Sequence, residues 1–249
     1  MSALRARCPD CRTLTAVAIG PDYQCHACGR EFAAGLVRVP RAWGDGGEVM
    51  AAAASMRLPW PEAAVIEEDD LGEQHAALQR ELPERPLVLG GCCCAHVGAV
   101  RELARRHGRV GVVWLDAHGD LNTPESSPSG NAWGMPLRML LDAGDVAASD
   151  VVLVGARSLD PPEEAFIEEQ GIRREPGTLP EAVYVALDGD VALPGELDVF
   201  MPEPGGPTAA ELEQLLASLP RPVGAGFTGF QASPRNEEAL TRLGRALGL

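Results

Sequence analysis

Two acidic clusters in this chain each follow a hydrophobic run. Val112-Val113-Trp114-Leu115 leads into Asp116-Ala117-His118-Gly119-Asp120, and Val183-Tyr184-Val185-Ala186-Leu187 leads into Asp188-Gly189-Asp190. One acidic pair after a strand reads equally well as a solvated turn. Two such clusters, one carrying a histidine, read as ligands. Carboxylates converging at a sheet edge repel one another unless a cation neutralises them. Carboxylate oxygens with a single imidazole suit Mn²⁺, and also Zn²⁺ or Fe²⁺.

A second constellation lies near the N-terminus. Cys8-Pro9-Asp10-Cys11 and Cys25-His26-Ala27-Cys28 form two Cys-x-x-Cys pairs separated by 13 residues. Each pair makes a tight knuckle, and the spacer is long enough to return one knuckle to the other, so Cys8, Cys11, Cys25 and Cys28 are expected to hold one structural Zn²⁺ in a ribbon. Four thiolates close a tetrahedral coordination sphere, which excludes catalysis there.

The elements that must position these groups alternate. Candidate strands are Leu14–Ala18 and Glu31–Val37 in the ribbon, then Ala64–Glu67, Pro86–Leu89, Val110–Leu115, Val151–Val154, Val183–Leu187 and Val223–Phe227. Several are unbroken apolar runs, as strands covered on both faces are. Helical stretches include Val97–Arg106, Pro136–Leu141, Pro161–Glu169, Thr208–Leu216 and Asn236–Leu247, the last capped near Asn236 or Arg235. Strand–helix repetition predicts an α/β fold of three layers, a mostly parallel sheet with helices on both faces, following a small N-terminal zinc ribbon. The expected division is residues 1–42 for the ribbon and 43–249 for the α/β domain. Sites in such sheets lie where strands end and loops begin.

Bulk composition limits the partners. The net charge is −15 and every one of the 21 basic residues is Arg, whereas a nucleic-acid binder needs a positive face to displace phosphate counterions. No run approaches the roughly 20 apolar residues that span a bilayer, and the N-terminus has no apolar core like a signal peptide's. Seven cysteines without an export signal point to a reducing compartment, so the expectation is a cytoplasmic protein with no membrane partner.

At this point a resemblance becomes specific. Asp116-Ala117-His118-Gly119-Asp120-Leu121-Asn122-Thr123-Pro124, followed by Ser129-Gly130-Asn131-Ala132-Trp133-Gly134-Met135-Pro136, resembles the signature of the ureohydrolases, the arginase and agmatinase family. Asp188-Gly189-Asp190 is similar to that family's second signature, Pro204-Gly205-Gly206 to the glycine turn after it, and Gly90-Gly91-Cys92-Cys93-Cys94 stands where the family has Gly-Gly-Asp-His-Ser. The resemblance spans roughly Trp43 to Leu249 and implies an arginase-like fold. It implies two divalent metals (Mn or Zn, or Fe or Co) bridged by Asp116 and Asp188. Asp120 and Cys93 would complete one position, with His96 as the alternative to Cys93, and His118 and Asp190 would complete the other. A metal-activated hydroxide would attack a guanidinium carbon, and Asp120 would pass a proton to the departing amine. Asn122, Ser127, Ser129, Asn131 and Asp160 would hold an α-amino acid end, with Trp133 also facing the substrate. Family members form trimers or hexamers, which implies a homo-oligomer.

Three departures accompany the match. Cys93 replaces a ligand histidine, and thiolate suits Zn²⁺, Fe²⁺ or Co²⁺ better than Mn²⁺. Trp133 replaces a histidine that shuttles protons. Gly229 replaces a glutamate that faces the guanidinium, and no acid lies between Arg221 and Arg235. The combination predicts a hydrolase of a C–N bond in a guanidino, amidino or related modified amino acid. The rival reading is a non-catalytic relative acting in metal binding or assembly.

Overall fold

The computed structural model describes the chain except residues 1–4, 7, 9, 10, 12, 14, 20, 21, 33, 34 and 176. Four short antiparallel strands open it: β1 (Arg5–Ala6), β2 (Ala16–Ile19), β3 (Asp22–Cys25) and β4 (Glu31–Phe32), in spatial order β1-β2-β3-β4. The strand expected to start at Leu14 starts at Ala16, and Leu14 itself lies outside the described residues.

The expected strand Glu31–Val37 divides between two sheets. β4 stays with the small sheet, while β5 (Gly35–Val39) pairs in parallel with β6 (Glu62–Val65) and β7 (Pro86–Gly90). Residues 35–39, grouped by sequence with the ribbon, thus build the main sheet. An apolar Gly-Leu-Val-Arg-Val run at the end of a Cys-rich segment gave no sign of which sheet it would join.

The main sheet continues through β8 (Val110–Leu115), β9 (Val151–Val154), β10 (Ala182–Asp188) and β11 (Gly224–Thr228). Its spatial order is β6-β5-β7-β11-β10-β8-β9, and all six pairings are parallel. Side-chain alternation along the strands creates two cores. From β10, Ala182, Tyr184 and Ala186 join one core, and Val183, Val185 and Leu187 the other. After a short helix α1 (Glu48–Ala51), the first core takes apolar residues from α2 (Leu71–Glu81), α3 (Cys94–His107), α4 (Pro136–Asp142) and α5 (Pro161–Gln170). The second takes them from α6 (Ala209–Ser218) and α7 (Pro234–Ala246). This is a three-layer α/β arrangement, a parallel sheet between two layers of helices.

Helix ends follow local chemistry. Thr208 and Glu211 make a reciprocal capping box at α6, and Asp160 and Glu163 do so at α5. The cap of α7 is Ser233, whose side chain accepts from Asn236 N, and neither Arg235 nor Asn236. Pro234 at the first helical position takes a place where no N–H bond is needed, so the helix starts two residues earlier than expected. No helix among the described residues is long and apolar enough to cross a membrane.

Candidate active site

Strands β7, β11, β10 and β8 are consecutive in the sheet, and their C-terminal ends open into one cavity of about 350 Å³. Cys93 follows β7 at the start of α3, Gly229 follows β11, Asp188 ends β10, and Asp116 follows β8. The cavity is lined by every residue expected in the active site: Cys93, Asp116, His118, Asp120, Asp188 and Asp190, with Asn122, Ser127, Ser129, Asn131, Trp133 and Asp160.

The donors fall into two overlapping groups. Cys93, Asp116 and Asp120 form one, and Asp116, His118 and Asp190 the other, with donor atoms in each within 4.8 Å of one another. Asp116 is the shared member. Asp188 belongs to neither group. Its Oδ2 lies 3.2 Å from Cys93 Sγ and accepts from Thr228 Oγ1 at 3.3 Å, while its Oδ1 accepts from Asp190 N at 3.1 Å. His96 stays out of both groups. Its Nε2 meets Thr228 Oγ1 at 3.1 Å and its Nδ1 meets Tyr184 Oη at 3.0 Å, so of the two candidates for that position the structure brings Cys93 to the donors.

The local backbone serves this convergence. Asp120 has φ of 53°, the one positive value for a non-glycine among the described residues. Aspartate tolerates that region, and its carboxyl lies within 4.8 Å of the Cys93 and Asp116 donors. Asp120 Oδ2 is buried and without a hydrogen-bond partner. Gly229 also has positive φ, 77°, and a Cβ there would come within 1.9 Å of Asp188 Oδ1. Its own N–H donates to Gly91 O, and its carbonyl accepts from Phe200 N. Glycine is therefore demanded here twice over, and a glutamate would displace Asp188. Behind the site, Arg157 donates to the carbonyls of Gly155, Asp190, Val191, Glu203, Pro204 and Gly205. It thereby fastens the loop after β10 to the loop after β9.

Electrostatics identify what the residues lack. Burial, then the charges of Asp116 and Asp188, push Asp120 well above the usual carboxylate range. Burial and Asp190 push Asp188 up to about 7, and burial and Asp116 push Asp190 up to about 6. Burial, then Asp120, Asp188 and Asp116, also raises the Cys93 thiol well above its ordinary value. Against burial, hydrogen bonds and charge from Asp116 and Asp190 push His118 up to about 12. One imidazole among four carboxyls and a thiol leaves the cavity short of positive charge. The orphaned oxygen of Asp120, the shared Asp116 and the mixed S, N and O donors all fit divalent cations.

The rest of the wall has two characters. Asn122 donates to Asp160 Oδ2 at 2.8 Å and accepts from Ser126 Oγ; Ser127 and Ser129 cap Gly130 N and Asn131 N; Asn131 Oδ1 holds Asp45 N at 3.1 Å. The second is an apolar patch of Met50, Cys92, Trp133 and Phe200, with the Trp133 and Phe200 rings edge-on at 5.9 Å. Sequence reasoning missed Met50, Phe200 and Glu163. The first two had no motif. Glu163 had one, since Asp160-x-x-Glu163 before a helix is a capping-box pattern. Its carboxylate accepts from Leu121 N and Asp160 N, each at 2.9 Å.

At the other end of the sheet, Cys8 and Cys28 sulfurs lie 3.4 Å apart, and those of Cys11 and Cys25 3.5 Å apart. All four group together, which fits a small zinc-binding segment.

Residues 64–176 match the model of the arginase family. Arginase of Staphylococcus aureus (strain COL) is 44% identical over 98 residues, covering 35% of this chain and 32% of that protein. Arginase of Bacillus caldovelox is 42% identical over 119 residues, covering 42% of this chain and 40% of that protein. The chain thus spans about a third to two fifths of the length of the curated relatives it matches. Among solved structures, arginase from Bacillus subtilis superposes with a TM-score of 0.71 at 23% identity, covering 86% of this chain and 97% of that one. Formimidoylglutamase from Bacillus subtilis does so at 0.66 and 18%, covering 86% of each.

Proposed function

The family match and the arginase relatives support the arginase, or ureohydrolase, family, and on that premise we propose that the chain is a metal-dependent hydrolase. Its bond would be the C–N bond of a guanidino, amidino or related modified amino acid. The observation that carries this reading is the pair of donor groups joined at Asp116 around the unpartnered oxygen of Asp120.

Cys93, Asp116 and Asp120 would hold one metal, and Asp116, His118 and Asp190 the other, with Asp188 beside both. Bound metals would supply the Lewis acidity that acidifies the attacking water. In the hydrolysis the water oxygen bonds to that carbon, the C–N bond breaks, and the nitrogen leaves with a proton. Asp120 would take the water's proton on the carboxylate oxygen not facing the metal and deliver it to the leaving nitrogen. Asn122, Ser127, Ser129, Asn131 and Asp160 orient the α-amino acid end. Met50, Trp133 and Phe200 exclude water from their side. Cys8, Cys11, Cys25 and Cys28 would hold a structural Zn²⁺.

Unmodified arginine suits this cavity poorly. A guanidinium stays charged and needs a carboxylate when buried. Apart from the metal-binding aspartates, the acids of the lining are Asp160, engaged by Asn122, and Glu163, engaged by two backbone N–H groups. Gly229 offers none. A less basic scissile group, such as hydroxyguanidino, ureido or acylamino, brings less charge to bury and a better leaving group. The test compares kcat/KM for arginine, N-hydroxyarginine and N-acyl amino acids with Mn²⁺, Zn²⁺ and Co²⁺ in turn. Hydrolysis led by a less basic substrate is expected. Arginine ahead of every alternative at an ordinary enzyme rate overturns the substrate reading. A metal-loaded protein inert to the whole panel favours the non-catalytic relative, the reading that Trp133 and Gly229 suggest.

A further inference from the structure

The two donor groups differ in one atom type. One offers an imidazole with two carboxylates, the other a thiol with two carboxylates. Cys93 Sγ lies 3.6 Å from Asp116 Oδ2, 3.2 Å from Asp188 Oδ2 and 3.1 Å from Thr228 Oγ1, all buried. A thiol has one hydrogen and can donate to only one of the two carboxylate oxygens. A thiolate facing a shared cation, with a hydroxyl donating to it from behind, satisfies the same geometry.

That hydroxyl is aimed by a relay. Tyr184 Oη lies 3.0 Å from His96 Nδ1; a buried hydroxyl donates where it has an acceptor, and with Tyr184 donating the neutral ring carries its proton on Nε2. Nε2–H then donates to Thr228 Oγ1 at 3.1 Å. The Thr228 proton is left to point at Cys93 Sγ or Asp188 Oδ2, with Leu187 O at 3.5 Å the longest choice. Space for the relay comes from Gly226, where a Cβ would come within 2.5 Å of His96 Nδ1. Partners behind a ligand fix its orientation and raise its donor strength. The unpartnered, buried Asp120 Oδ2 in the same group is an independent observation that points to a cation ligand.

We propose that Cys93 binds, as a thiolate, the metal position it forms with Asp116 and Asp120, making that position selective for a thiophilic divalent ion (zinc, iron or cobalt) over manganese. Binding releases the thiol proton to solvent. The proposal rests on the metal-hydrolase reading above.

The experiment is a Co²⁺ titration of the full-length protein after its N-terminal thiols have been filled with Zn²⁺, followed by absorption spectroscopy and metal analysis. Wild type is compared with Cys93→Ser and Cys93→His, whose folding is checked by circular dichroism. Wild type is expected to develop a thiolate-to-cobalt charge-transfer band that both variants lack. In equimolar Zn²⁺ and Mn²⁺, the zinc-to-manganese occupancy should fall about tenfold or more in Cys93→His, a variant that keeps a ligand there if the serine variant misfolds. Wild type binding two cobalt ions beyond the N-terminal zinc, with a spectrum equal to the variants', overturns the thiolate alone. Wild type binding no cobalt in the cavity overturns both it and the hydrolase reading.

Discussion

Two clusters with metal-ligand chemistry occupy opposite ends of the main sheet, and they differ in nearly every donor. The N-terminal cluster has four identical sulfurs, brought together by two knuckles on short antiparallel strands. It touches the sheet's N-terminal side, where Glu84 N donates to Tyr23 Oη and Asp22 lies between Arg85 and Arg221. The cavity cluster mixes sulfur, imidazole and carboxylate, draws on three strand ends, and opens to a cavity of about 350 Å³. Four thiolates leave a metal nothing further to bind. Mixed donors around an orphaned oxygen leave room for water and substrate. The contrast teaches that openness, more than the number of ligands, separates a metal that holds a fold from one that does chemistry.

The largest effect should follow from removing the shared ligand. Asp116→Ala is expected to empty both cavity positions and lower kcat/KM by at least ~10³-fold, because several kcal/mol of transition-state stabilisation goes with the metals. The N-terminal zinc should stay. Metal analysis and kinetics on one preparation check both, and a variant retaining two cavity metals would break the assignment of Asp116.

A smaller effect sharpens the electrostatic side of the comparison. Asp188 in the metal-free fold is pushed up to about 7, against about 3.9 when unfolded. The folded state then holds the proton more tightly. Its contribution to stability is present at low pH and is lost as pH rises from about 4 to 7, by a few kcal/mol. Metal-free Asp188→Asn should therefore gain on metal-free wild type across that window. Loaded with metal, the order should reverse. Denaturant midpoints at pH 4, 5.5 and 7 measure it, and a pH-independent difference would mean that the carboxylate is not held without a counterion.

How much of this was legible depends on whether a group's partners lie close in sequence. Asp116, His118 and Asp120 sit within five residues after an apolar strand, so they and their strand could be read directly. The same holds for Asp188 with Asp190 and for the Cys-x-x-Cys pairs. Thr228, His96 and Tyr184 form their network from three separate elements, and no local spacing announces it. Phe200 and Met50 meet Trp133 only through tertiary packing. Gly229 was legible as a missing acid, but its reason was not: the close approach to Asp188 exists only once β10 and β11 are paired. β5 was assigned to the wrong sheet for the same kind of reason, since its parallel partners are β6 and β7, each more than 20 residues away.

The smallest effect expected on catalysis comes from the other end of the molecule. Cys25→Ser removes one of four thiols from a cluster with no open position, so the N-terminal Zn²⁺ should be lost or bound far more weakly. Among the described residues the small sheet has a core of Cys8, Ala16, Tyr23 and Cys25 with Cys11 packed against it, too little apolar surface to stay folded without its metal. Proteolysis within residues 5–32 should accelerate. The main sheet carries two cores of its own, and none of the described residues before β5 lines the cavity. What it loses is the Tyr23–Glu84 bond and two ion pairs from half-exposed Asp22, to the buried Arg85 at 3.8 Å and to the exposed Arg221 at 3.9 Å, and pairs that long contribute little. kcat/KM should accordingly stay within about threefold of wild type, roughly 0.6 kcal/mol, while zinc content falls by one per chain. A loss of activity comparable to that of Asp116→Ala would show that the two clusters are coupled through the sheet, and the division between a metal that holds and a metal that acts would fail.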